Sequence, residues 1–290
     1  MILVAGGQLD FNIGALLQRM LRRRVKFVSV LLGPDLMPRL TVDVAKDTLV
    51  LNGKAIRPRA CFMRHDVFLA QQVATADAHA ASLNWYVAIK GWELAHDDVR
   101  GFNKKSSGAE ANKLRNLYLA RQHGLDIPAT LLTNEFKPLR KKMRGPLIVK
   151  PAGGGEHTEE FGSFAASLST RTPMVRYPRF VQRRMLRPEL RVYRVGDALF
   201  GFALSSPDIG YRSANRARLK TARVPGALGR KLTSFCDALG LDFAAADFMR
   251  DPETRDFRFL EVNSQPMFAA FDKVSGGRLC DAIIDHLSRG

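Results

Sequence analysis

From Phe180 to Asn263 the chain is built of short segments in which apolar and polar residues alternate, each ended by a turn signal. Phe180–Leu186, Glu189–Val195 and Leu199–Ser205 follow one another closely, the last two joined at Gly196-Asp197. Phe243–Arg250 and Phe257–Asn263 are joined across Asp251-Pro252-Glu253-Thr254. Connections this short suit antiparallel neighbours, because a parallel crossover needs about a dozen residues or more. Hairpins therefore dominate the last half, with helices expected over Pro225–Leu239 and after Ser275.

The opening reads differently. Ile2–Ala5 and Val25–Leu32 are short β-branched runs, and Asn12–Arg23 between them spaces Ile13, Leu16, Leu17, Met20 and Leu21 as a helix does. That is strand–helix–strand, an α/β beginning. Asn52-Gly53 centres a hairpin over Thr48–Ile56, Ala60–Arg64 is a further strand, and Ala76–Ala95 is a long helix with Leu83, Val87 and Leu94 among its apolar positions. A first domain is expected over residues 1–100, a second over 101–179 and a third over 180–290. The polar stretch Gly101–Gly108 is the linker. Ser107 and Glu110 have capping-box spacing, which predicts a helix over Ala109–His123 closed by Gly124, with Pro128 soon after. Thr130–Thr133 and Leu147–Lys150 are strands, the latter running into Gly153-Gly154-Gly155. The fold class is α/β of the α+β kind.

Composition narrows the function. Of 290 residues, 46% are hydrophobic and 25% charged, which excludes a disordered chain. Cys61, Cys236 and Cys280 form no Cys-x-x-Cys pair, which points to a reducing compartment and no structural zinc. Without a basic leader ahead of an apolar run, or an apolar stretch of about 18–20 residues, the expectation is a soluble, cytoplasmic protein with no membrane partner. The formal charge is +17, from 45 basic and 28 acidic side chains. Fifteen basic residues and only Glu189, Asp197 and Asp208 as acids lie between Arg171 and Lys231. Such an excess suits nucleic acid, phosphates, an acidic protein or anionic lipid.

Four groups of residues carry candidate chemistry. Glu261 and Asn263, two apart on a strand, share a face, and Asp247 on the preceding strand can lie beside them. Two carboxylates and an amide oxygen suit magnesium, although a polar strand end explains them equally well. Lys150, ending an apolar strand beside a glycine loop, suits phosphates; the bland alternative is a snorkelling lysine. Gln182, Glu189 and Arg191 fall on adjacent strands, where Glu189 can accept from a ribose and Arg191 can fork onto a carboxylate or phosphate. Alone, Lys113 is an ordinary helical lysine.

In order, Asn112-Lys113-Leu114-Arg115, Leu125 to Asn134 (LDIPATLLTN), Ile148-Val149-Lys150-Pro151, Phe180-Val181-Gln182, Glu189-Leu190-Arg191-Val192, Ala246-Asp247-Phe248 and Leu260 to Pro266 (LEVNSQP) resemble the ATP-grasp superfamily over roughly residues 105–288. The stretch Pro128 to Asn134 and Phe62-Met63-Arg64 look most like its microviridin-type branch, the graspetide synthetases, relatives of the ribosomal-protein glutamate ligases. The resemblance implies a ligase that uses ATP and Mg2+ to convert a carboxylate into an acyl phosphate, which an amine or hydroxyl then displaces. Lys113, Lys150 and the Gly153-Gly154-Gly155 loop would meet the nucleotide, with Gln182 at the adenine and Glu189 at the ribose. Asp247, Glu261 and Asn263 would hold magnesium, and Arg191 and Arg212 would steady the transferring phosphoryl group. Two departures stand out: Arg183-Arg184 follow Gln182 where the family has acidic or neutral residues, and Ile209-Gly210-Tyr211-Arg212 lacks a preceding acid. Both are expected to make the cleft more positive.

The substrate implied is an acidic ribosomal precursor peptide with leader and core, crosslinked through esters or amides, and the resemblance makes a homodimer plausible. A second version adds amino acids to a protein tail or small molecule. A different class, a basic nucleic-acid-binding protein, rests on Tyr177, Phe180, Tyr193 and Tyr211 interleaved with arginine. Those aromatics fall largely in strands, where core packing is the commoner role.

Overall fold

The computed structural model describes residues 1–33, 36, 38–65, 76–136, 139, 143–153, 158–168, 174–206 and 218–289. The chain forms two compact units, Met1–Lys104 with Gln265–Gly290, and Lys105–Ser264.

In the first unit β1 (Ile2–Gly7), α1 (Phe11–Arg22) and β2 (Phe27–Leu32) make the strand–helix–strand opening. β1 is buried along its whole length because it is the centre of a parallel sheet, between β2 and a later strand. Asp10 caps α1 by accepting from the Asn12 backbone N–H at 2.8 Å, and Ile13, Leu16 and Met20 form its buried stripe. β3 (Leu40–Asp43), β4 (Thr48–Leu51) and β5 (Lys54–Ile56) form a small antiparallel sheet, turning at Asn52-Gly53 with both residues at positive φ. β6 (Ala60–Met63) completes the parallel sheet, and α2 (Ala76–Ala95) follows. Leu83, Val87 and Leu94 of α2 are exposed, while Ile89 and Trp92 are buried.

The second unit opens with a short turn of helix at Ala109–Ala111, and α3 spans Lys113–Gln122. The capping box does not start this helix. Instead the Asn112 side chain accepts from the Arg115 N–H at 3.0 Å, with its own backbone extended, so the helix begins four residues later than expected. Gly124 closes it at positive φ, as its position implied. One antiparallel sheet follows: β7 (Thr130–Glu135), β8 (Leu147–Pro151), β9 (Glu159–Glu160) and β10 (Met174–Arg183), in the order β7-β10-β8-β9. α4 (Phe161–Ser167) lies between β9 and β10 in sequence. Val149, Val181, Phe161, Phe164 and Phe136 form the core on one face of this sheet.

A second antiparallel sheet contains β11 (Leu186–Val195), β12 (Ala198–Ser205), β13 (Arg218–Ala222), β14 (Phe243–Arg250) and β15 (Phe257–Asn263), in the order β13-β12-β11-β14-β15. Leu190, Val192, Ala244, Ala246, Phe248 and Phe259 pack on Leu117 and Ala120 of α3 and on Leu232, Phe235 and Leu239 of α5 (Gly226–Leu239). One face is thus covered by helices, and residues of opposite parity face away from them.

Two boundaries differ from those expected. A division between residues 179 and 180 runs through β10, which pairs with both β7 and β8 and so belongs to the first of the two sheets. The chain after Ser264, with α6 (Ala269–Val274) and α7 (Arg278–Ser288), belongs to the first unit. There the Asn12 side-chain oxygen accepts from the Phe268 and Ala269 N–H groups at 2.6 and 2.8 Å, Arg64 donates to the Pro266 carbonyl at 2.7 Å, and Arg19 forks onto Asp281. Among the described residues no helix is long and apolar enough to cross a membrane.

Gly240 ends α5 at φ +68°, and a Cβ there would sit 2.4 Å from the Lys105 carbonyl oxygen. Both the left-handed backbone and the backbone contact resist a side chain, so Gly240→Ala is expected to cost at least about 1–2 kcal/mol in denaturant unfolding. An unchanged midpoint would show that this approach of α5 to Lys105 is dispensable.

Candidate active site

The face of the five-stranded sheet turned away from α3 and α5, itself buried at Arg191, Tyr193, Phe202 and Asp247, collects the predicted residues. Asp247 pairs directly with Glu261 and with Arg191, and Ala245 pairs with Asn263. Directly opposed residues share a face, and so do residues two apart, so Arg191, Asp247, Glu261 and Asn263 point together, with Glu189 two residues before Arg191. A local irregularity makes this possible. Phe259 pairs with Phe248 while Glu261 pairs with Asp247, leaving Leu260 as the extra residue of a β-bulge. In a regular strand Glu261 would share the face of the fully buried Phe259 and enter the helix-covered core. The bulge reverses the parity after Phe259, which puts Glu261 on the face of Asp247 and Val262 in the core.

The other wall is the β7-β10-β8-β9 sheet. Lys150 pairs with Phe180, and Gln182 pairs with both Ile148 and Thr130. Val149 and Val181 belong to the core on the opposite face, so Lys150 and Gln182 face away from it. Lys113 stands at the first position of α3, placed there by the Asn112 cap.

The electrostatics link these side chains. Arg191 is bidentate on Asp247, its Nε and NH2 both at 2.6 Å from the carboxylate oxygens, and both partners are buried. Lys113 Nζ lies 3.6 Å from Glu261 Oε2. Half-buried Lys150 has its pKa lowered, first by burial and then by Lys113, against the upward pull of Glu261, Glu189 and Asp247. Burial also pushes the Asp247 carboxyl above its usual range despite Arg191. Glu189 is raised to about 8, by burial first and the Asp247 charge second, with Arg191 pulling the other way. Two carboxylates, Asp247 and Glu261, thus pair with Arg191 and Lys113 beside Lys150, while Glu189 keeps its proton up to about pH 8.

Two buried acceptors in the site are left over. Gln182 Oε1 and Glu189 Oε1 have no hydrogen-bond partner in the protein, although Gln182 is only 3% exposed and Glu189 7%. An orphaned buried acceptor costs about 1–3 kcal/mol, so these oxygens fit a ligand that brings donors. A nucleotide brings an amino group and ribose hydroxyls. The opposed Asp247 and Glu261, with Asn263 on the same face, offer the hard oxygen donors magnesium takes, while among the described residues no three or more His, Cys, Asp or Glu gather as a metal site.

The remaining expectations divide. Gly153 is exposed beyond β8, with open space around it, and nothing draws it to the site. Gly154, Gly155, Arg212 and Tyr211 lie outside the described residues. The extra arginines do not enrich the cleft with free charge: Arg183 donates to Glu253 at 2.6 Å and Arg184 to Glu160 at 2.7 Å, acids distant in sequence that neutralise them. Arg194 is likewise tied to Asp237 at 2.6 Å. Phe180 and Tyr193 are buried in the core, so they offer no stacking surface to a nucleic acid; Tyr177 is half exposed beside Arg179. Thr130, whose hydroxyl accepts from Gln182 Nε2 at 3.0 Å, was not singled out from sequence, because only the strand register sets it opposite Gln182.

No family model matches the sequence, and no match was found among curated proteins. Solved structures do match. The ATP-grasp ligase PsnB complexed with a minimal precursor has a TM-score of 0.77 at 22% identity, over 98% of each chain. A Chryseobacterium gregarium RiPP-associated ATP-grasp ligase, in complex with ADP and a leader and core peptide, has a TM-score of 0.75 at 18% identity, over 99% of this chain and 96% of that one. The macrocyclase MdnC from Microcystis aeruginosa MRC, bound with precursor peptide MdnA, has a TM-score of 0.71 at 17% identity, over 99% of both chains. The chain has the ATP-grasp fold, and the likeness extends through residues 1–104, which the ordered motifs did not cover.

Glu189 gives a pH test with a definite sign. A buried acid with a raised pKa stabilises the fold fully below its unfolded value of about 4.3, and that contribution is lost as pH rises through the folded value. Glu189→Gln keeps the shape and removes the charge. Its melting temperature relative to the unsubstituted protein is expected to rise between pH 5 and pH 8, by roughly 2–4 °C per kcal/mol recovered. A constant difference across that range would contradict the burial argument.

Proposed function

We propose that this chain is an ATP-dependent, magnesium-requiring carboxylate ligase that crosslinks an acidic ribosomal precursor peptide. The observation that carries the reading is the pair of buried, unpartnered acceptors, Gln182 Oε1 and Glu189 Oε1, beside a site in which Arg191 is paired with Asp247 and Lys113 with Glu261. The shared fold supports it: PsnB has been solved with a minimal precursor, Mg and ADP.

ATP supplies the leaving group that turns a peptide side-chain carboxylate into an acyl phosphate, with ADP released. A Ser or Thr hydroxyl, or a Lys amine, then attacks the acyl carbon; phosphate leaves, the nucleophile loses its proton, and an ester or amide remains. No protein nucleophile is needed, so the residues work by position and charge. Lys113 and Lys150 would hold phosphates, Gln182 the base and Glu189 the ribose. Asp247, Glu261 and Asn263 would hold Mg2+, while Arg191 would steady the transferring phosphoryl group. Asp247 and Glu261, which here hold Arg191 and Lys113, would be the carboxylates that hold Mg2+, and those two cations would then be free to meet the phosphates. Arg212 and Gly153-Gly154-Gly155 are not needed for this assignment.

The peptide side of the proposal rests on the basic segment. Once Arg183, Arg184, Arg191 and Arg194 are matched with acids, Arg218, Lys220, Arg223, Arg230 and Lys231 remain exposed. By register Lys220 pairs with Ala203, the partner of core residue Leu190, so Arg218 and Lys220, like Arg230 and Lys231 of α5, lie on the helix side of the sheet and would hold an Asp- and Glu-rich segment of the peptide away from the reacting groups.

Two measurements test the reading. Calorimetry should show ADP binding that needs magnesium, and Glu261→Ala should weaken it by about two orders of magnitude, the scale of losing a desolvated charged contact. Equal binding with and without magnesium, or an unaffected E261A, would sink the ligase assignment. Arg218→Glu with Lys220→Glu should weaken an Asp/Glu-rich peptide more than Arg22→Glu with Arg24→Glu does. That gap should close as salt rises from about 0.05 to about 0.5 M. A salt-independent affinity, or equal effects of the two double reversals, would contradict the peptide assignment.

A further inference from the structure

The orientation of the Gln182 amide is dictated by a relay that begins outside the site. Thr130 Oγ1 lies 2.7 Å from the Pro128 carbonyl oxygen, which can only accept, so the hydroxyl commits its single proton there. Towards Gln182, at 3.0 Å, Thr130 therefore has only a lone pair to offer, and Gln182 must turn its amino group to it. The amide oxygen then projects the other way, buried and without a protein partner. Thr130 and Gln182 are a direct cross-strand pair between β7 and β10, so the relay is part of the sheet and not of a loop.

We propose that Thr130, acting through Gln182, sets the base selectivity of the site by locking a hydrogen-bond acceptor against the nucleobase. The inference rests on the nucleotide reading above and deepens it. A fixed acceptor fits the 6-amino group of adenine. A 6-oxo purine puts an oxygen at that place, so two acceptors face each other with no proton between them at a buried amide. Without the Thr130 lone pair the Gln182 amide is free to rotate by a half-turn about its last bond, which exchanges acceptor for donor. Thr130 is thus a positioning residue, and its signature is a change in preference rather than a loss of binding.

Calorimetry with Mg-ADP and Mg-IDP, which differ at the 6-position and the adjacent ring nitrogen, separates the outcomes. The unsubstituted protein should prefer ADP by about ten- to a hundredfold, the scale of one buried unsatisfied polar group. Thr130→Val, which keeps the β-branched shape, should bring the two affinities within about threefold without weakening IDP, and Thr130→Ser should keep the original preference. Gln182→Met should lose the preference as well, and adding Thr130→Val to it should change nothing further, because the two residues act in series. An undiminished ADP preference in T130V, or equal weakening of both nucleotides, would overturn the inference. Equal binding of ADP and IDP by the unsubstituted protein would overturn it while leaving the ligase reading intact. Absence of binding to either nucleotide would overturn both.

Discussion

The site depends on one electrostatic constraint: Lys113, Lys150 and Arg191 must share one space with Glu189, Asp247 and Glu261, buried at Arg191, Asp247 and Glu189 and partly exposed at Lys113 and Glu261. Removing either member of the buried Arg191–Asp247 pair strands a charge, at a cost on the order of 3–5 kcal/mol. Replacing the pair with apolar residues would avoid that cost, so its presence is not explained by stability. The proposed magnesium nucleotide would give it a purpose, because such a ligand brings both signs of charge to a site where Arg191 and Asp247, and Lys113 and Glu261, hold one another.

The fold supplies this arrangement through two parity decisions. In the five-stranded sheet, the bulge at Leu260 lets Phe259 pack under α5 while Glu261, two residues on, faces Asp247. In the neighbouring sheet, regular pairing puts Val149 and Val181 in the core and Lys150 and Gln182 on the reverse. Burial of the large apolar residues thus fixes the register, and the register brings the polar residues together. Both sheets lie within Lys105–Ser264, so the geometry is internal to one compact unit.

Much of this was legible before any coordinates. Asn52-Gly53, Gly124, the Phe243–Asn263 hairpin and the helix over Ala76–Ala95 follow from local turn chemistry and periodicity, and they stand where the sequence places them. The carboxylates on β14 and β15 were found by alternation, although simple alternation would also have put Glu261 beside Phe259; the bulge that resolves the conflict has no sequence signal as plain as a glycine. The capping box at Ser107 and Glu110 had the right spacing, yet Asn112 makes the cap, because several candidate caps in a row compete and only the packed helix selects one. Thr130 was missed for a related reason: its role exists only through register with a strand some fifty residues away. The charge excess was visible, but its meaning was not. Arg183, Arg184 and Arg194 meet Glu253, Glu160 and Asp237, pairings between distant segments that no count along the chain could show.

The proposed ligase must transfer a phosphoryl group to a carboxylate. The direct measurement is turnover of an Asp- or Glu-rich precursor peptide whose side-chain carboxylates carry oxygen-18, with Mg-ATP, followed by mass analysis of the released phosphate. Collapse of an acyl phosphate leaves a carboxylate oxygen on phosphorus. The account therefore predicts labelled inorganic phosphate, formed together with ADP and with each new ester or amide bond. Unlabelled phosphate accompanying bond formation, or release of AMP and pyrophosphate, would contradict it.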